Sequence, residues 1–113
     1  MIDDATVEAF NTRFTVDLNN YKKFTPAQRD QAKKYGSDAE ALLKNRELAL
    51  FVHHFKFDLA DSLILIQSHT ADDNARRVAV ANQLAGMDAF IASLKRAVMM
   101  RNRILEWEAG QNQ

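Results

Sequence analysis

The sequence contains no cysteine, one proline and three glycines in 113 residues. The lack of thiols excludes disulfides, thiolate metal ligands and cysteine nucleophiles, and it fits a reducing compartment. So little proline and glycine leaves few residues for the turns of a β-sheet, which favours helices. No apolar run approaches the roughly 20 residues of a transmembrane helix, and the acidic start Met-Ile-Asp-Asp shows no secretory signal. We therefore expect a soluble, cytoplasmic protein that does not bind membranes.

Neither sign of charge dominates, because fifteen Lys and Arg residues balance fifteen Asp and Glu residues. This balance excludes a general electrostatic attraction to nucleic acids, so binding to them would need a local basic cluster. The fractions of hydrophobic residues (47%) and charged residues (27%) are ordinary for a globular protein. A chain of this length can bury one hydrophobic core, and we expect a single domain over residues 1–113.

The N-terminal third predicts two helices, A over residues 4–22 and B over residues 26–35. Helix A is indicated by apolar residues at steps of three and four, namely Val7, Phe10, Phe14, Leu18 and Tyr21. Helix B begins where Thr25 and Gln28 form a capping box around Pro26, a residue suited to the first helical position. We expect it to end at Gly36, because glycine readily adopts the left-handed conformation that follows many helices.

The middle of the chain predicts a long helix C over residues 38–68, which starts at a second capping box in the segment 37–40. Two apolar rows lie on it: Leu48, Val52, Phe55, Leu59, Leu63 and Ile66 form one, and Leu43, Leu50, Phe57 and Ile64 form the other. Two rows indicate a helix covered on much of its circumference. Either the N-terminal helices or a second copy of the chain would supply the cover.

A polar turn over residues 68–74 precedes a long helix D over residues 72–108, and a frayed tail is expected over 110–113. Helix D carries a heptad seam that Arg101 interrupts: Val80, Leu84, Met87, Ile91, Leu94, Val98 and Leu105. The predicted fold is all-α. It consists of an antiparallel hairpin of helices C and D with the shorter N-terminal helices packed on it.

Catalytic and metal-binding motifs are weak in this sequence. His53 and His54 are adjacent, so their side chains diverge by about 100° on a helix, which does not suit a shared metal ion. Asp58 and Asp61 lie three residues apart and are interpreted as part of a solvated face. No Gly-rich phosphate loop or nucleophile–histidine–acid pattern is visible. We expect no catalytic residue, no metal and no cofactor, and we interpret the protein as a non-enzyme.

A candidate partner-binding stripe consists of Arg96, Met100, Arg103 and Trp107, which follow a four-three-four spacing on helix D. Trp, Arg and Met are enriched at the centres of protein interfaces. The alternative is that helix A or B covers the stripe within the chain. Helix D also carries six basic residues that raise the question of nucleic-acid binding, although they scatter around the helix: Arg76, Arg77, Lys95, Arg96, Arg101 and Arg103.

The segments 41–48, 71–77 and 83–88 contain a leucine-rich helix start, a turn with two acids and arginines, and a leucine-containing return helix. Over about residues 39–98 the chain resembles small all-α accessory proteins of tailed bacteriophages. The resemblance implies a phage-encoded or virion-associated protein and assigns no functional residue. The leading hypothesis is a protein that self-associates or binds a protein partner, as a virion component or as an inhibitor of a host factor. The alternative is a small nucleic-acid-binding regulator that uses the helix D arginines.

Overall fold

The computed structural model describes residues 2–11 and 19–111, and within these ranges all regular structure is helical. This confirms the all-α fold class, with shorter N-terminal helices and a long C-terminal one. None of the helices in these ranges combines the length and the hydrophobicity needed to cross a membrane. The elements in chain order are α1 (Asp4–Asn11), a 3₁₀ turn (Tyr21–Lys23), α2 (Pro26–Leu43), α3 (Arg46–Leu65) and α4 (Ala71–Gln111).

The chain divides into two compact units. Unit 1 combines Met1–Ser37 with Arg96–Gln113, and unit 2 is Asp38–Lys95. Helices α2 and α4 contribute residues to both units. That the two units fold together as the single domain expected from the sequence stays a prediction.

In unit 1 the start of α2 follows the sequence prediction. The backbone N–H of Gln28 donates to Oγ1 of Thr25 at 3.2 Å, and the N–H of Thr25 donates to Oε1 of Gln28 at 2.9 Å. These reciprocal bonds satisfy two donors that a helix start leaves unpaired, so the predicted capping box is confirmed. Ala32, Met100 and Ile104 form a buried cluster in the unit, with Tyr21 and Phe24 packed against it.

The predicted end of helix B at Gly36 is wrong, because α2 continues through Gly36 and Ser37 to Leu43. Gly36 has no positive φ angle and instead lies at a close contact between helices. A Cβ atom at this position would lie 2.5 Å from Cβ of Arg101 and 2.7 Å from the carbonyl oxygen of Ala97. The lack of a side chain therefore allows α4 to approach α2 here, and the glycine does not end the helix.

The helix boundary predicted at Ser37 lies instead at Lys44 and Asn45. The side chain of Asn45 accepts a hydrogen bond from the backbone N–H of Leu48 at 2.7 Å, which caps the first turn of α3. At its other end α3 stops at Leu65, three residues before the predicted end. Helix C is thus shorter than expected at both ends.

Helix A does not extend to Lys22 as predicted, since Asn19 and Asn20 form a turn and a 3₁₀ turn follows. The predicted apolar positions Phe14 and Leu18 lie outside the described residues. At the start of α1, the backbone N–H and the hydroxyl of Thr6 donate to Oδ1 of Asp3 at 2.8 and 2.7 Å. These bonds stabilise the charged carboxylate and lower the pKa of Asp3.

Unit 2 contains the antiparallel pair formed by α3 and the first part of α4. Leu59 of α3 and Leu94 of α4 are buried. Nζ of Lys56 lies 2.8 Å from Oδ1 of Asp88, which ties the two helices together at mid-length. The predicted seam residues of α4 within this unit are half-buried or buried: Val80, Leu84, Met87, Ile91 and Leu94.

The turn between α3 and α4 is held by Arg77. Its guanidinium donates to the carbonyl oxygen of Ile66 at 3.3 Å, to the carbonyl oxygen of Ser68, and to Oδ1 of Asn74 at 2.6 Å. The backbone N–H of Asp73 donates to Oγ1 of Thr70 at 3.2 Å, so Thr70 caps α4. The turn therefore satisfies several backbone groups that the helix ends leave free.

In unit 1 the heptad seam predicted for helix D fails at its last position. Leu105 is 47% exposed, whereas its neighbour Ile104 is fully buried. The buried residues there are Ala97, Met100 and Ile104, a different row from the predicted one. Helix α4 also extends to Gln111, so Gly110 and Gln111 are helical rather than frayed, and residues 112 and 113 lie outside the described ranges.

Candidate protein-interaction surface

One side of α3 in unit 2 exposes large apolar side chains to solvent. Their exposed fractions lie between 47% and 78%. We call this set the α3 surface: Leu50, Phe51, Phe57, Ile64 and Leu65. Surface leucines that occur singly are ordinary, but five large apolar side chains exposed on one side of a single helix are typical of a binding surface.

The α3 surface exists because α3 is apolar on two opposite sides. Residues seven apart fall on nearly the same side of a helix with 3.6 residues per turn, which aligns Leu50, Phe57 and Ile64. Leu59 lies about half a turn away from this row and is buried in unit 2. The side with Leu59 meets the packing needs of the unit, so the opposite row is left exposed.

The size of the α3 surface can be worked out from its two phenylalanines. With roughly 200 Å² per phenylalanine side chain, Phe51 at 75% and Phe57 at 68% exposure present about 300 Å². The three aliphatic side chains add to this and bring the α3 surface to the upper part of the range of about 300 to 600 Å² seen for the largest patches of monomers. Such patches are often functional.

The charged groups around the α3 surface are three carboxylates and the guanidinium of Arg46. Glu47, Asp58 and Asp61 are exposed. None of these three carboxylates has an ion-pair partner within the ranges that the structure describes. His54 and Asp58 line a shallow depression together with the apolar residues Leu50, Phe51 and Phe55. The surface thus combines an apolar row with negative charge.

The stripe predicted on helix D is divided by the structure. Met100 is 1% exposed and belongs to the core of unit 1, where Ala32 of α2 packs beside it. Met100 is therefore not accessible to a partner, because α2 covers it as the sequence alternative allowed. Arg96 and Arg103 are exposed and Trp107 is half-buried. For these three residues, partner binding stays a prediction.

Trp107 takes part in a charged cluster within unit 1. The guanidinium carbon of Arg29 lies 5.0 Å from the centre of the Trp107 ring, a cation–π distance. Oε1 of Glu108 lies 3.3 Å from the buried Nε of Arg29, which has no hydrogen-bond partner among the described residues, so this contact is electrostatic. Nζ of Lys33 donates to Oε2 of Glu108 at 2.9 Å, and this bond, with a smaller effect from Asp30, raises the pKa of Lys33.

Several basic residues of α4 have contacts within their own unit. Arg77 binds the turn as described above, and Arg76 lies 3.6 Å from the carboxylate of Asp73. The guanidinium of Arg101 donates to Oγ of Ser37 at 3.4 Å and to Oδ1 of Asn102. At least half of the six candidate residues for nucleic-acid binding therefore have contacts with other residues of the chain.

Metal-binding geometry is absent from the described residues 2–11 and 19–111, which contain no group of three or more His, Asp or Glu side chains placed to hold an ion. No family model, curated protein or solved structure matches the chain. The sequence predicted a partner-binding stripe on helix D. The exposed apolar surface lies instead on α3, where the sequence signal is the seven-residue spacing of Leu50, Phe57 and Ile64.

Proposed function

We propose that this protein is a non-enzymatic interaction protein that binds a partner protein through the α3 surface. The observation that supports the proposal is the exposure of five large apolar side chains along one side of α3, while the opposite side packs within unit 2. Exposed apolar area of this extent is unfavourable in water and is characteristic of surfaces that another molecule covers.

The energy available from covering the α3 surface is sufficient for a specific complex. Removing about 300 Å² of phenylalanine surface from water contributes roughly 7 kcal/mol before the costs of association. Phe51 and Phe57 are large and have only two side-chain torsions each, so ordering them costs little entropy. They are the side chains that we expect to dominate binding.

The proposal is tested by photo-crosslinking in the native cell. A photoreactive phenylalanine analogue replaces Phe57, and a matched variant carries it at Val78, which is also exposed in unit 2 but lies on α4. We expect discrete adducts from position 57 that are missing from position 78 and that disappear when Ile64→Ser is added. Identical adduct patterns at both positions, or unmodified protein alone, would contradict the proposal.

The biological setting that we propose with this function is the one implied by the sequence resemblance, a phage-encoded virion component or an inhibitor of a host factor. Both roles use binding without catalysis. The genes adjacent to this one distinguish them. Capsid and portal genes beside it support the virion role, and early genes support host inhibition, whereas a setting unrelated to phages contradicts both.

The alternative, a nucleic-acid-binding regulator, has less support because Arg76, Arg77 and Arg101 are engaged in contacts within their units. Arg96 is exposed on α4, but the chain has no net positive charge. A mobility-shift titration at low salt tests this alternative, since phosphate binding weakens steeply as salt is added. Retardation that is lost in an Arg96→Ala variant would favour it over protein binding.

A further inference from the structure

We infer that the partner which covers the α3 surface is a basic amphipathic helix of another protein. This inference rests on the proposed function and adds the chemistry of the partner. Three exposed carboxylates lie among the apolar side chains of the surface. Glu47 precedes Leu50 by one helical turn, and Asp61 lies one turn after Phe57 and one turn before Ile64. Asp58 follows Phe57 directly and shares a depression with Phe51.

The three carboxylates are available to a partner. No ion pair involves Glu47, Asp58 or Asp61 in the part of the chain that the structure describes. The nearby lysines are already engaged, because Lys56 pairs with Asp88 at 2.8 Å and Lys44 pairs with Glu40 at 3.1 Å. Arg46, beside Glu47, is exposed as well, so three carboxylates share one guanidinium at this surface. The negative charge in excess of Arg46 is therefore left for a partner to neutralise.

The spacing of the apolar row favours a helix as the partner element. Leu50, Phe57 and Ile64 lie seven residues apart, so the row extends along about 21 Å of helix. A partner helix with apolar residues every three or four positions can lay one face along this row, as in other helix-in-groove complexes. Lysine or arginine beside its apolar face would then lie close to the carboxylates of the α3 surface.

A second copy of the chain is a poorer occupant than a basic helix. In a parallel symmetric pair Asp61 would face Asp61 of the other copy, and in an antiparallel pair centred on Phe57 the Asp58 side chains of the two copies would lie within one helical turn of each other. Like charges brought together at an interface are unfavourable and act against that partner. Charge complementarity therefore selects a basic partner.

The inference is tested with three synthetic 18-residue peptides that share one leucine face and differ in the flanking residues, which are lysine, glutamine or glutamate. Fluorescence anisotropy measures their binding to the full chain. We expect the lysine peptide to bind about tenfold more tightly than the glutamate peptide, the effect of two or three exposed ion pairs, with a smaller difference at high salt. The double variant Asp58→Asn/Asp61→Asn should weaken the lysine peptide about fivefold and leave the glutamine peptide unchanged. The control Glu106→Gln removes an exposed carboxylate of α4 in unit 1 and should change neither peptide.

The outcomes separate this inference from the proposed function. Equal affinity for the three peptides, with loss of all binding in Phe57→Ser/Ile64→Ser, overturns the basic partner and leaves the α3 surface as an interaction surface. No binding of the lysine peptide also overturns the inference, and the crosslinking from position 57 then decides the proposed function by itself. A doubled mass in light scattering that returns to the single mass in Phe57→Ser/Ile64→Ser identifies a second copy as the occupant and overturns the basic helix.

Discussion

Replacing Gly36 by alanine tests the closest helix contact of unit 1. In an exposed helix interior this change stabilises a protein by about 1 kcal/mol, because alanine has less backbone freedom to lose. At Gly36 the new methyl group would lie 2.5 Å from Cβ of Arg101 and 2.7 Å from the carbonyl oxygen of Ala97. The second of these atoms belongs to the backbone, so a rotation of a side chain does not relieve both contacts.

The magnitude follows from these two opposing effects. Overpacking of a buried contact costs about 1 to 3 kcal/mol, and a backbone neighbour places Gly36→Ala near the upper end. After subtraction of the gain in helix propensity, we expect a loss of roughly 2 kcal/mol in the free energy of unfolding. Gly86→Ala is the matched control, because no described atom outside the adjacent helix backbone lies within 4 Å of a Cβ at that position. It should gain about 1 kcal/mol.

Urea denaturation followed by circular dichroism measures both changes, and the two variants should differ by about 3 kcal/mol. A Gly36→Ala protein as stable as the parent would refute the close approach of the two helices in unit 1. Gly36→Asn distinguishes a glycine at a close helix contact, as in the structure, from a glycine that ends a helix, as the sequence predicted. A glycine that ends a helix in the left-handed conformation tolerates asparagine better than alanine, whereas the packed contact should tolerate the larger asparagine less.

Five further substitutions, at four residues, test the units. Met100→Ala should destabilise the protein by about 2 to 5 kcal/mol in urea denaturation, and a loss below 1 kcal/mol would contradict its place in the core. Trp107→Ala should cost about 2 to 3 kcal/mol through lost packing and the lost cation–π contact, and an unchanged melting temperature would instead support a binding role for this residue. Arg77→Ala and Arg77→Lys should both speed amide hydrogen exchange in the turn. Alanine removes the hydrogen bonds of the guanidinium, and lysine cannot reproduce their forked geometry. Protection in the lysine variant equal to that of the parent would contradict this. The raised pKa of Lys33 predicts a contribution to stability that is fully present below its ordinary pKa of 10.5 and is lost as the pH rises through the folded-state pKa. Glu108→Gln should therefore reduce the fall in the free energy of unfolding at alkaline pH.

The parts of the fold that depend on neighbouring residues could be predicted from the sequence. The capping box of Thr25 and Gln28 involves residues three apart, and the structure contains both of its hydrogen bonds. The role of Gly36 could not be predicted in this way. The residues that surround it, Ala97 and Arg101, are distant in the sequence, and a glycine that ends a helix resembles a glycine that permits a close contact.

The candidate surface shows the same limitation. The sequence predicted Met100 and Trp107 as partner-binding residues because these residue types are common at interfaces. The same types also fill cores, and α2 covers Met100. The row of Leu50, Phe57 and Ile64 was recognised on the helix, yet the pattern alone does not show whether another element covers it. Only the packing of unit 2 decides that this row is exposed.

The division of the chain determines the order in which the two cores receive their residues during synthesis. Unit 2 is one uninterrupted stretch, Asp38–Lys95, whereas the two segments of unit 1 lie before and after it. On the ribosome, Ala32 therefore emerges long before Met100 and Ile104, the residues with which it forms the core. Domains generally form from the N-terminus onwards during translation, but here the unit that begins first is completed last. A premature stop codon after Lys95 would leave every residue of unit 2 in place and remove three of the four buried hydrophobic residues described in unit 1, namely Ala97, Met100 and Ile104.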